Sequence, residues 1–124
     1  DFSADETFRI TARFANVGSL RPRAPVSMSG VTIGRVTRID FDAAALDAVV
    51  TMDIDARYDQ IPEDSDASIL TAGLLGSQYV GLQAGGSEFY LEEGSEVLLT
   101  QSAIVLESLI GKFLVRGGSD DGSD

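Results

Sequence analysis

Over residues 7–14, TFRITARF, the apolar Phe8, Ile10, Ala12 and Phe14 alternate with Thr7, Arg9, Thr11 and Arg13. A period of two is that of a strand with one face buried and one wet, so both arginines belong on the solvent side. The alternation returns in AVVTMDIDA, where Val50, Met52 and Ile54 interleave with Thr51, Asp53 and Asp55. Between them, NVGSLRPRAP reads as a loop punctuated by Gly18, Pro22 and Pro25. VSMSGVTIGRVTRIDFD reads as two short strands bent at Gly30 and Gly34, in a tight corner or bulge. Pro62 breaks the chain before ASILT, and QYVGLQA and EVLLT supply two further strands. About seven short strands separated by glycine turns predict a mainly β fold, a small barrel or a sandwich.

The period changes at Ser102. From SAIVLESLIGKFLV onward it is helical, with Ser102 placed to cap the start and Gly117 and Gly118 to stop it. At about 100° per residue, Val105, Leu106, Leu109, Ile110, Phe113 and Leu114 fill an arc of about 180°, wider than docking on one core requires. Such a helix either lies on its own barrel or meets another surface. Gly111 weakens the helix but lets a second backbone approach. The terminal GGSDDGSD has the composition of a disordered linker.

A chain of 124 residues fits one domain. Its 44% hydrophobic content is too high for disorder, despite a net charge of −11. The charge is uneven. Residues 1–39 carry six arginines against Asp1, Asp5 and Glu6, whereas residues 40–111 carry fourteen carboxylates against Arg57 alone. The arginines are either scattered over a solvated surface or form a face that meets an acidic face on another copy. Lys112 is the only lysine, so nucleic acid is a poor partner. No run is long and apolar enough for a membrane span, and a chain that opens on Asp1 without methionine is expected to be a piece of a longer protein.

Catalytic chemistry is hard to assemble from these residues. Without histidine or cysteine there is no imidazole base, thiol nucleophile, disulfide or zinc site. The pairs Asp40 with Asp42, Asp53 with Asp55 and Asp64 with Asp66 have strand spacing that could serve a glycosidase-like pair or a divalent cation. Nothing selects one pair over another, and a wet strand face needs such residues anyway. GLLG has no lysine after it, and SMSGVTIG is not GxGxxG. No enzyme, cofactor or metal is expected.

The feature left unexplained is TAGLLGSQYVGL, in which Leu74 and Leu75 sit between Gly73 and Gly76. Glycines mark a turn, and burying one leucine is worth about 1.5–3 kcal/mol, which a turn in water forfeits. Either the pair tucks under its own barrel or it meets symmetry mates around a ring. GSLRPRAPVSMSGVTIGRVTRI followed by ASILTAGLLGSQYVGL resembles the MCE domain, and LEEGSEVLLTQSAIVLESLIGKFL extends the likeness over nearly all of residues 7–116. The resemblance is to the branch of the MCE family that serves maintenance of outer-membrane lipid asymmetry in bacteria.

That resemblance implies a lead-in at 1–6 following an N-terminal membrane helix, a seven-stranded β-barrel over 7–101, a pore helix over 102–116 and a tail over 117–124. It implies a homohexameric ring in the periplasm, anchored in the inner membrane, working with an ABC permease, an ATPase and a soluble lipid carrier. Leu74 and Leu75 would line the pore, and Leu106, Leu109, Ile110, Phe113 and Leu114 a hydrophobic tunnel for phospholipid. The acidic exterior argues against lipid capture by surface charge, so acyl-chain burial at about 0.8 kcal/mol per CH₂ would hold the cargo with loose head-group selectivity. The alternatives are an MCE module importing another lipid or a sterol, and a protein-adhesion module.

Overall fold

The computed structural model describes residues 6–104 and 109–114. Eight strands form one sheet: β1 (Thr7–Phe14), β2 (Pro25–Met28), β3 (Val31–Asp42), β4 (Asp47–Asp55), β5 (Asp66–Thr71), β6 (Gln78–Gln83), β7 (Glu96–Val97) and β8 (Leu99–Gln101). Their order across the sheet is β7-β1-β4-β3-β2-β6-β5-β8. The two outermost strands, β7 and β8, are separated along the chain only by Leu98. The first half of this run pairs with β1 and the second half with β5, so one stretch of chain ties both edges together and nearly closes a barrel. Counting that run as the single strand expected at EVLLT, the barrel has the seven walls the sequence predicts.

The alternation read in the sequence is what fills the interior. Ile10, Ala12 and Phe14 of β1 face Val50, Met52 and Ile54 of β4, joined by Val26, Val36, Ile69, Val80 and Val97, all buried. Pairing is antiparallel along β1–β4, β3–β4, β2–β3 and β5–β6, and parallel at β2–β6, β1–β7 and β5–β8.

The segment expected to form two short strands bent at two glycines differs in one respect. Gly30, with φ of 80°, does make the turn between β2 and β3, but β3 then runs for 12 residues straight through Gly34. Register slips at Val26/Ser27 and again at Val36/Arg38 supply the bends, leaving Ile33 and Thr37 as the extra residues. Gly34 is needed for close approach, since a Cβ there would run into the Asp53 carbonyl oxygen.

The helix also starts later than Ser102, because residues 102–104 are not helical. The Ser102 hydroxyl instead accepts the Asn16 N–H at 3.1 Å, and the Ala103 N–H donates to the Asn16 carbonyl at 3.0 Å, pinning the end of β8 to the β1–β2 loop. Helix is present over 109–114, while Val105, Leu106, Gly117 and Gly118 lie outside the described residues.

Candidate functional site at one end of the barrel

Three parts of the chain meet at one end. Because β8 runs parallel to β5, and β2 parallel to β6, the β5–β6 tip, the start of β2 and the end of β8 all lie there.

The tip is built by its glycines. Thr71 and Gln78 form the last ladder pair, and the Ala72 N–H donates to the Ser77 carbonyl at 3.0 Å. Gly73 has φ of 72°, which favours glycine. At Gly76 a side chain would collide with the Ala72 carbonyl oxygen. On this tip Leu74 is 80% exposed and Leu75 84%. The question raised by GLLG is thereby answered, for the single chain leaves both leucines in water.

The base of the tip is fixed to the loop before β2. The buried Gln78 side chain donates to the Thr71 hydroxyl at 3.2 Å and accepts the Ser19 N–H at 2.7 Å and its hydroxyl at 3.2 Å. Leu20 is buried, and beyond it Arg21–Ala24 make a tight turn closed by the Ala24 N–H on the Arg21 carbonyl at 3.1 Å. Pro22 occupies the second position and Arg23, with φ of 77°, the third, the pattern of a type II turn in which glycine is the usual third residue. The Arg23 N–H donates to the Val36 carbonyl at 2.7 Å, which locks the turn onto β3. A groove of about 510 Å³ runs between turn and tip, lined by Arg21, Pro22, Arg23, Leu75, Gly76 and Ser77 among others. A second groove of about 510 Å³ crosses the outer face of β2, β6, β5 and β8, with Asp66 as its one charged lining residue, and does not reach Leu74 or Leu75.

Leu109, Ile110, Phe113 and Leu114 are exposed, as are Gly111 and Lys112 beside them. The helical segment therefore does not lie on its own barrel. Leu106 lies outside the described residues.

Five of the six paired carboxylates are held by neighbouring groups, and the sixth, Asp66, lines the groove on the outer face of the sheet. Arg38 donates to Asp40 at 2.7 Å and Arg9 to Asp53 at 3.0 Å. Asp42 accepts the Ala45 and Ala44 N–H groups and Arg13, which hold its carboxyl below the usual aspartate range. Asp55 is held low by Arg57, and Asp64 by the Ser87 and Gly86 N–H groups. Each of these five carboxylates is engaged in holding the barrel or its loops, and no group of three or more metal-ligating side chains occurs among the described residues.

Sequence reading missed the place of Arg21 and Arg23. It registered an excess of arginine early in the chain, and the only local hint was their position in LRPRAP, where two prolines stiffen the backbone.

A small barrel with glycine-framed leucines at one end and an apolar helical segment after its last strand is the arrangement of an MCE domain. A family model described as MlaD protein matches residues 6–85. The intermembrane phospholipid transport system binding protein MlaD of Haemophilus influenzae is 42% identical over 126 residues, spanning 99% of this chain and 75% of that protein. The protein of the same name from Escherichia coli K12 is 42% identical over 122 residues, spanning 94% of this chain and 67% of that protein. Among solved structures, the Acinetobacter MlaFEDB complex in its ATP-bound Vtrans1 conformation contains a chain matched with a TM-score of 0.81 at 30% identity, covering 91% of this chain and 83% of that one. The chain belongs to the MlaD family.

Proposed function

We propose that this chain binds and passes on phospholipid as the periplasmic subunit of an ABC-type intermembrane transport system, anchored to the inner membrane and assembled as a homohexameric ring. The observation that carries the reading is the pair Leu74 and Leu75, almost fully exposed on a tight tip framed by Gly73 and Gly76. Closed cyclic symmetry turns one such pair into a continuous apolar collar. The exposed helical residues Leu109, Ile110, Phe113 and Leu114, together with Leu106 if the sequence periodicity holds there, extend the collar into a tunnel. Acyl chains gain about 0.8 kcal/mol per CH₂ on entering it. The names of the relatives and the MlaFEDB neighbour support phospholipid as cargo and an ABC permease and ATPase as partners. In the same reading a soluble periplasmic carrier exchanges lipid with the ring. The ring itself needs no catalytic group.

Native mass spectrometry tests ring and cargo together. A sixfold mass with phospholipid-sized adducts is the expected result, and a bare monomer counts against the collar. Leu74→Asn combined with Leu75→Asn should keep the fold and the sixfold mass yet abolish lipid transfer and weaken the outer-membrane barrier. Unimpaired transfer by that variant removes the pore role from the tip.

A further inference from the structure

We propose that Arg21 and Arg23 form a subsite for the phosphodiester of a glycerophospholipid, set beside Leu75 so that head group and acyl chain are gripped by adjacent parts of one groove. This rests on the lipid-binding reading and adds a head-group contact to it. The placement is direct, since one groove of about 510 Å³ is lined by both arginines and by Leu75. Both arginines are exposed, and neither has a carboxylate partner among the described residues. Arg35 of β3 is likewise without a carboxylate partner, but it does not line the groove, so the groove gathers two of the three such arginines among the described residues. Arg9, Arg13, Arg38 and Arg57 are all engaged with aspartates.

The composition around the groove points the same way. Residues 18–25 and 71–78 contain no carboxylate, so the net acidity of the chain stops short of both walls. An anion approaching here meets two guanidinium groups. Guanidinium presents a rigid fork of donors that matches phosphate oxygens, whereas glyceride esters offer it only weak neutral acceptors.

The backbone supplies a third, independent sign. Arg23 holds φ of 77° at the turn position where glycine is the relaxed choice. Such strain clusters at functional sites, and Arg23 shares it with Ser29 and Leu46, of which neither lines this groove. Here the Arg23 N–H on Val36, the closed turn and the buried Leu20 fix where the side chain departs.

The test uses the whole chain, with native mass spectrometry reading both stoichiometry and lipid load. The probes are phosphatidylglycerol and diacylglycerol of identical short acyl chains. Wild type should prefer phosphatidylglycerol by about tenfold or more, and Arg21→Ala combined with Arg23→Ala should remove that preference while leaving diacylglycerol uptake unchanged. Arg35→Ala, an exposed arginine of β3 that does not line the groove, should leave the preference intact. Equal binding of the two lipids by wild type overturns the subsite but leaves the apolar conduit standing. Binding of neither overturns both. A double variant that loses its oligomeric mass overturns the proposal as well, by assigning the arginines to a neighbouring copy. Inorganic phosphate separates the two sources of the same chemistry. Displacement of phosphatidylglycerol only at high millimolar phosphate supports the lipid, and displacement at micromolar phosphate assigns the site to the free ion and overturns the lipid assignment.

Discussion

Ile54 and Leu74 are isomeric side chains in one short chain, and the fold treats them in opposite ways. Ile54 has no exposed surface in β4, whereas Leu74 stands 80% exposed beyond the last ladder pair of β5 and β6. Their surroundings differ in the same sense. Around β1, β4 and β3 most charge is neutralised on the spot: Arg9 holds Asp53, Arg13 bridges Asp42 and Asp47, Arg38 holds Asp40, and Arg57 holds Asp55, with Arg35 left over. At the tip end, residues 18–25 and 71–78 present two arginines, the adjacent leucines and no carboxylate. The barrel interior is filled within one chain, while Phe41 of β3 and Leu98 between β7 and β8 stand exposed on its outside. The tip end differs in combining adjacent exposed leucines with charge of one sign, the combination on which the proposed lipid site rests.

The largest effect should come from exchanging the two isomers' fates. Ile54→Ala should cost about 2–5 kcal/mol of stability, because a buried aliphatic is lost and a cavity remains. Leu74→Ala should stay within about 0.5 kcal/mol, because nothing in the single chain packs on that side chain. Denaturation midpoints in urea read both. Equal destabilisation would mean that the tip is ordinary core and the comparison is wrong.

Acid should act on the wall and spare the tip. Asp42, Asp55 and Asp64 have folded pKa values below the ordinary aspartate value, caused respectively by the Ala45 N–H, by Arg57 and by the Ser87 N–H before their other partners. A lowered folded value means stability that is fully present above the unfolded pKa and is lost as pH falls through the folded one. Thermal midpoints should therefore be flat across neutral pH and fall once pH drops below about 4. Asp42→Asn should be less stable than wild type at neutral pH, and the gap should close in strong acid. A gap that persists there would assign the role of Asp42 to shape and not to charge.

How much of this the sequence discloses follows the same division. Local pattern suffices for the wall: two-residue alternation in TFRITARF and AVVTMDIDA already names Ile10, Phe14, Val50, Met52 and Ile54 as core. The split of EVLLT between two partners is not legible, because a change of pairing partner leaves no mark on hydropathy. The late start of the helix is not legible either, since Ser102 looks like a cap and is drawn instead to Asn16, 86 residues away in sequence. At the tip, Leu74 and Leu75 could be named as anomalous from their glycine frame. Their exposure could not, because it depends on whether any other part of the chain reaches over the tip, which local pattern does not encode. Arg21 and Arg23 were invisible as a pair facing Leu75, since that neighbourhood is made by Ser19 and Gln78 across 59 residues.

The smallest predicted effect bears most directly on what the tip end is for. Arg23 occupies a left-handed turn position at φ of 77°, where an L-residue costs about 1–2 kcal/mol relative to its relaxed conformation. Arg23→Gly removes that strain but gives the unfolded chain more freedom, which offsets about 0.4–1 kcal/mol of the gain. The net should be a stabilisation of several tenths to about 1 kcal/mol, accompanied by weaker discrimination of phosphatidylglycerol over diacylglycerol. Opposite signs for the two readouts would be informative in themselves. A residue kept for the fold should not make the protein more stable when it is removed, whereas a residue kept for a ligand can. If Arg23→Gly proves destabilising, the guanidinium makes a structural contact in the assembled protein, and the tip end is more nearly complete than the single chain suggests.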